Sequence, residues 1–273
     1  MTQIVAPTHP FDVAVDSPPS WAHPASSWAT PPPRTRTWCG PFGGITAATL
    51  LRAVLQHPER LGDPLSLTVN FAGPIADGAF EVSARPTRTN RSTQHWNIEL
   101  AQDGVVTTTA TAVSAIAGYV GSTEIEAPPA PPADDVAAAG FPDFIAWARN
   151  TRCGSSPRAP HSQAGGQPDS TTTMWVRDAP PRALDFPALT SLCDVFYPRA
   201  FLRLGRYLPA GTVSLTVYFH ADATLLAAQA DDAVLATARA QRFGKGYFDQ
   251  SGEIWGHDGA LLATTHQLVY FKD

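Results

Sequence analysis

Asp194 stands where few carboxylates do, inside the apolar run LDFPALTSLCDVFYPRAFLRL between Leu184 and Leu204. Leu189, Leu192, Val195, Phe196, Ala200, Phe201 and Leu204 cover most of a helical wheel, so the spacing predicts a buried helix with Asp194 near its middle. Burial favours the neutral carboxyl, and a carboxylate so placed becomes a proton acceptor near neutral pH, a general base. The competing reading turns Asp194 to an edge of the helix, paired with Arg199 or Arg203. Cys193 is its neighbour, but a buried free cysteine behaves as a small hydrophobe more often than as a nucleophile. His220 and His266 show no metal-ligand spacing, and no metal centre is expected. Gly43 and Gly44 open a second apolar run, where bare backbone N–H groups could meet a developing oxyanion or simply permit close packing. Arg239, Arg242 and Lys245 suit phosphates or a solvated strand face equally well.

These residues must be positioned by the elements around them. The second run, GGITAATLLRAVLQHP, reads as a helix that Pro58 terminates. After it, residues 66–73, 79–89, 93–100 and 105–115 alternate or run apolar, with turn signals at Asp77-Gly78 and Asp103-Gly104, and predict four antiparallel strands. A Pro-rich N-terminal region contains Trp21, Trp28 and Trp38 and a strand-like run from Phe11 to Val15. Residues 127–167 change composition and read as a linker with some order, including a short helix at PDFIAWARN. A strand at 171–178 then leads into the Asp194 helix, followed by strands at 212–220, 234–243, 246–255 and 260–271.

The order repeats. Ser66-Leu67-Thr68-Val69-Asn70-Phe71 aligns with Ser214-Leu215-Thr216-Val217-Tyr218-Phe219, and each last strand follows an Asp-Gly pair, at Asp103-Gly104 and Asp258-Gly259. In each copy a helix too apolar for water precedes antiparallel strands, so the sheet must curl around the helix. That is the α+β hotdog architecture, and two copies predict a double hotdog, with two antiparallel sheets joined edge to edge so that two exposed strand edges disappear. The expected boundaries are 1–121 for the first hotdog, 122–168 for the linker and 169–273 for the second.

Composition excludes several function classes. The 273 residues are 44% hydrophobic and 16% charged with a formal net charge of -5, which gives no basic surface for a nucleic acid. No apolar run reaches the roughly twenty residues of a membrane span. An odd cysteine count, Cys39, Cys153 and Cys193, and an N-terminus unlike a signal peptide lead to the expectation of a cytoplasmic protein.

The chain resembles the double-hotdog acyl-CoA thioesterases of the acyl-CoA thioesterase II type. The resemblance covers nearly the whole chain and rests on GPFGGITAATLLRA, MWVR, SLCDVF, TVSLTVYFH and DGALLATTHQ. It implies an acyl-CoA substrate, no cofactor, and a water activated by an Asp, a Thr and a Gln of the C-terminal hotdog. The Asp matches Asp194 and the Gln matches Gln267. The Thr matches Thr212, with Thr216 the choice if the register moves; the two are an even number apart and so are expected on one face of the strand. By pattern alone Gln267 would be an ordinary outward-facing residue and Thr212 a plain β-former. The first copy carries Ala112 where the second carries Gln267, so one active site per chain is expected. The resemblance points to dimers or higher assemblies, although a double hotdog already contains the pair that single hotdogs form. Competing functions are hydratase or dehydratase chemistry on acyl thioesters, which needs a His with an Asp, and an acyl-binding hotdog without turnover.

Overall fold

The computed structural model describes residues 9–15, 36–37, 40–116, 123–138, 151–155 and 166–272. Helix α1 (Pro10–Val15) replaces the strand expected at Phe11 to Val15. Pro10 suits a first helical turn, and the Phe11 N–H donates to His9 Nδ1 at 3.1 Å, which satisfies one free donor of the helix start. Phe11, Ala14 and Val15, at helical spacing, are buried. A short ladder of β1 (Arg36–Thr37) and β2 (Gly40–Pro41) leads into α2 (Gly43–Leu55), the helix expected there. Leu50 and Leu51 are completely buried, worth about 1.5–3 kcal/mol each relative to exposure.

The first group of strands is β3 (Asp63–Phe71), β4 (Glu81–Thr89), β5 (Thr93–Gln102) and β6 (Val105–Ala115). Asp103 and Gly104 both take positive φ between β5 and β6, as a tight two-residue hairpin requires. Within the expected linker, β7 (Thr151–Ser155) pairs with β8 (Thr172–Asp178) and so forms a sheet edge. The helix expected at PDFIAWARN, Cys39, and the three N-terminal tryptophans lie outside the described residues.

The long helix expected from Leu184 to Leu204 is instead two short ones, α3 (Phe186–Leu192) and α4 (Arg199–Leu204). Asp185 caps α3 by accepting from the Ala188 N–H at 2.8 Å. Pro198 ends any helical continuation, because the residue before a proline is driven out of the helical region. Asp194 therefore lies in a turn just past α3, its N–H donating to the Ser191 carbonyl at 3.1 Å, and is not mid-helix. The second half continues with β9 (Ala210–Phe219), α5 (Ala223–Gln229), β10 (Val234–Arg239), β11 (Phe243–Gly244), β12 (Tyr247–Trp255) and β13 (Leu261–Phe271). Helix α5 is an addition to the expected elements; Asp222 caps it by accepting from the Leu225 N–H at 2.8 Å.

Pairing is antiparallel throughout, in the order β4-β5-β6-β3-β9-β13-β12-β10-β8-β7, with β11 on β12. At the centre β3 meets β9, Ser66 to Asn70 opposite Tyr218 to Ser214. The register supports the internal repeat: Leu67 faces Ala112, and Leu215 faces Gln267. Helices α2 and α3 pack so closely that a β-carbon on Gly44 would lie 2.6 Å from the Ser191 carbonyl oxygen. Among the described residues no helix is long and apolar enough to cross a membrane.

Candidate active site

A cavity of about 450 Å³ opens where the two helices meet the sheet. Phe42, Gly43 and Phe71 come to it from the first half, and Asp194, Thr212 and Gln267 from the second. The turn after α3 presents Asp194, which is only 8% exposed. Strand β13 presents Gln267, whose Nε2 donates to Asp194 Oδ1 at 2.8 Å and to the Cys193 carbonyl at 3.3 Å. In an alternating strand Gln267 falls on the buried face, between outward His266 and Leu268.

Asp194 sits past the C-terminus of α3, where the helix dipole disfavours a negative charge, and against the N-terminus of α2, where it favours one. Phe42, the residue preceding α2, has no side chain able to cap it. The Gly44 N–H faces the Asp194 carboxylate and favours its charged form. That N–H is thus directed at the Asp194 carboxylate. Gly43 admits the carboxylate sterically, since a β-carbon there would stand 2.8 Å from Asp194 Oδ2. Burial outweighs these stabilising contacts and pushes the Asp194 carboxyl up to about 7. The neighbouring Cys193 thiol is completely buried and pushed up as well, first by burial and then by the Asp194 charge, so it is a poor nucleophile.

Thr212 and Thr216 part company here. The register of β9 on β13 shifts between Leu268 opposite Ser214 and Val269 opposite Thr212, which leaves Val213 as an extra residue. This β-bulge inverts the alternation, so an even spacing no longer means a shared face. Thr212 lines the cavity, whereas Thr216 lies on the seam with its hydroxyl 3.1 Å from that of Thr68.

Other residues singled out in the sequence stand elsewhere. The His220 ring meets Thr264 at 3.1 Å and the His266 ring meets Ser251 at 3.3 Å, both histidines being exposed and neither lining the cavity. Arg239 pairs with Glu253 at 3.3 Å, and it, Arg242 and Lys245 are absent from the cavity wall. Arg203 donates to the carbonyls of Gln167 and Pro168, so it is not a partner of Asp194.

Gln250, on the cavity wall, escaped the sequence reading, and Arg199, the alternative partner of Asp194 there, bonds to Gln250 instead. Gln250 of β12 donates to Gln267 Oε1 at 3.1 Å and accepts from Arg199 Nε at 3.1 Å. Arg199 is fully buried, and its remaining hydrogen bonds go to the carbonyls of Tyr197, Ser170 and Ala238 and to the Thr172 hydroxyl. The available signal for Gln250 was its place on the Phe248, Gly252 and Ile254 phase of β12.

Comparison with known proteins places this architecture. Residues 32–115 match the acyl-CoA thioesterase N-terminal domain and residues 123–271 the acyl-CoA thioesterase C-terminal domain. The chain belongs to the acyl-CoA thioesterase family. This thioesterase-family chain is similar, at 45% identity and a TM-score of 0.91 over 98% of its length and 99% of the other, to a conserved protein of unknown function with a hot dog fold from Alicyclobacillus acidocaldarius. An acyl-CoA thioesterase II from Mycobacterium marinum shares the fold at 19% identity and a TM-score of 0.75, covering 96% of this chain and 98% of that one. Comparison with curated proteins returned no match.

Proposed function

We propose that this protein hydrolyses acyl-CoA to a free acid and CoA, with Asp194 as the base that activates water. The observation that carries the proposal is the buried Asp194 carboxylate on the cavity wall, hydrogen-bonded to Gln267, with Thr212 lining the same cavity. In this reading the chain is a double hotdog, with units at 1–121 and 169–273, a linker at 122–168, and one active site per chain. The acyl group lies against the apolar wall that Phe42, Phe71 and Phe201 contribute to the cavity.

The reaction follows from these groups. Asp194 takes a proton from a water held by the Thr212 hydroxyl and the Gln267 amide, and the water oxygen bonds to the thioester carbonyl carbon. The carbonyl oxygen becomes an oxyanion, for which the Gly43 N–H at the start of α2 is the donor we assign. The C–S bond then breaks, its electron pair leaves with sulfur, and Asp194 returns the proton to the CoA thiolate. No covalent acyl-enzyme forms.

The test is release of free thiol from acyl-CoAs of graded chain length by purified protein. No release from any of them overturns the proposal, and binding without release favours the acyl-binding alternative. The hydratase reading loses support because His220 and His266 are off the cavity wall. Thr212→Ala is expected to lower turnover by about 10–100-fold, at or below the cost of one lost oxyanion donor, while Thr216→Ala stays within about twofold. The reverse ranking would remove Thr212 from the site. Because the base must be ionised, kcat/KM should fall as pH drops through about 7.

A further inference from the structure

We infer that Arg199 is a positioning residue for this site, acting through Gln250 to fix which end of the Gln267 amide faces Asp194. The inference rests on the role of Asp194 proposed above. It begins from the chemistry of guanidinium, which donates five hydrogen bonds and accepts none.

The two ends of a glutamine amide are distinguished only by their partners. Arg199 settles them in order. Its Nε–H, 3.1 Å from Gln250, requires an acceptor, so the carbonyl end of Gln250 faces the arginine. The amino end of Gln250 must then face Gln267, where it needs an acceptor at 3.1 Å, so Gln267 turns its own carbonyl toward β12. What remains for Asp194 is the Gln267 amino group, at 2.8 Å, and the Cys193 carbonyl, which accepts from the same amino group at 3.3 Å, holds that orientation from the other side. A donor is thereby directed at the carboxylate by a charge two residues removed.

The direction matters when Asp194 takes up a proton. A protonated Asp194 is best met by an acceptor, which would be the Gln267 carbonyl after the amide turns over. That turn would set the Gln267 carbonyl against the Cys193 carbonyl and the Gln267 amino group against the Gln250 amino group, and Gln250 cannot turn in response without setting its own amino group against Arg199. Arg199 therefore opposes protonation of Asp194 and keeps the base available at lower pH.

The structure places Arg199 where little else explains it. It is completely buried, and its partners among the described residues are neutral: three backbone carbonyls, the Thr172 hydroxyl and Gln250. A buried guanidinium without a carboxylate is costly, and burial pulls its own ionisation down to about 9. Around Asp194 itself the other groups are accounted for. Its own turn supplies the Cys193 thiol, which burial keeps neutral, and the Cys193 carbonyl, which accepts from Gln267; α2 supplies the Gly44 N–H, and β13 supplies Gln267.

The test compares wild type with Gln250→Met and Arg199→Met. Gln250→Met adds no charge, removes the donor that holds the Gln267 carbonyl toward β12, and so frees the Gln267 amide to turn when Asp194 takes up a proton. Arg199→Met removes the donor that orders both amides. Asp194 is titrated by its carboxyl carbon in 13C NMR, and the acid limb of kcat/KM is followed by thiol release. We expect both measures to move upward by about one pH unit or more in each variant, a tenfold relative loss at acid pH. A merely structural role would lower melting temperature or kcat and leave the inflection in place. A wild-type inflection in folded Gln250→Met overturns the inference, whether or not Arg199→Met folds. If Asp194→Asn keeps full activity, the base assignment fails instead, and the NMR titration still decides whether Arg199 controls the Gln267 amide.

Discussion

Replacing Asp194 with Asn should abolish measurable thiol release while making the protein harder to unfold above neutral pH. The first effect follows from losing the proton acceptor, a loss of about 10²–10⁴-fold in kcat/KM. The second follows from linkage. Burial lifts the folded-state carboxyl to about 7, above its ordinary value of 3.8. Between those two values the folded protein binds more protons than the unfolded chain, so stability contributed by this group is greatest in acid and falls as pH rises. Above about pH 7 the ionised Asp194 is a net cost, which the neutral Asn removes. Part of the gain is offset, because the Gln267 amino group and the Gly44 N–H both want an acceptor and Asn supplies one carbonyl oxygen. A net gain on the order of 1–2 kcal/mol at about pH 8, fading toward about pH 4, is expected from denaturant titrations at the two pH values. An inactive variant that is destabilised at the higher pH would contradict the burial argument. An active one would move the base elsewhere.

Gly44→Ala should be destabilising even though alanine is the better helix former. A β-carbon there would stand 2.6 Å from the Ser191 carbonyl oxygen and 2.6 Å from Phe42 Cε1. The phenyl ring can swing aside, but Ser191 belongs to the backbone of α3. The helices must therefore separate, at a cost of about 1–3 kcal/mol, against a helix-propensity gain of about 0.5–1 kcal/mol. The net loss is expected as a fall of about 2–6 °C in melting temperature. Separation also draws the Gly44 N–H away from Asp194, so the acid limb of activity should rise alongside. Unchanged melting and an unchanged pH profile would show that α2 and α3 do not meet as closely as described.

What could be read in the sequence followed from periodicity. The strands and α2 were legible because alternation and apolar runs report burial directly, and the repeat was legible because both copies keep a Ser-Leu-Thr-Val core. The break between α3 and α4 was hidden by composition. Val195, Phe196 and Tyr197 are buried through packing and cavity lining rather than as helix, and only Pro198 marked the interruption. The faces of Thr212 and Thr216 were misjudged because the Val213 bulge changes side-chain parity without changing residue type. The route from Arg199 through Gln250 to Asp194 was not legible from spacing, since 51 residues separate Arg199 from Gln250 and only the packing of α4 against β12 brings them together.

The registers of the two halves also specify what each copy has done with the same positions. In the second, Gln267 lies between Leu215 and Gln250; in the first, Ala112 lies between Leu67 and Trp96. Where one half carries two amides in series, the other carries a methyl group and an indole that is only 1% exposed. At the same positions one half is thus apolar and the other polar and facing a cavity. The apolar half still serves the polar one, because the start of α2 receives the Asp194 carboxylate.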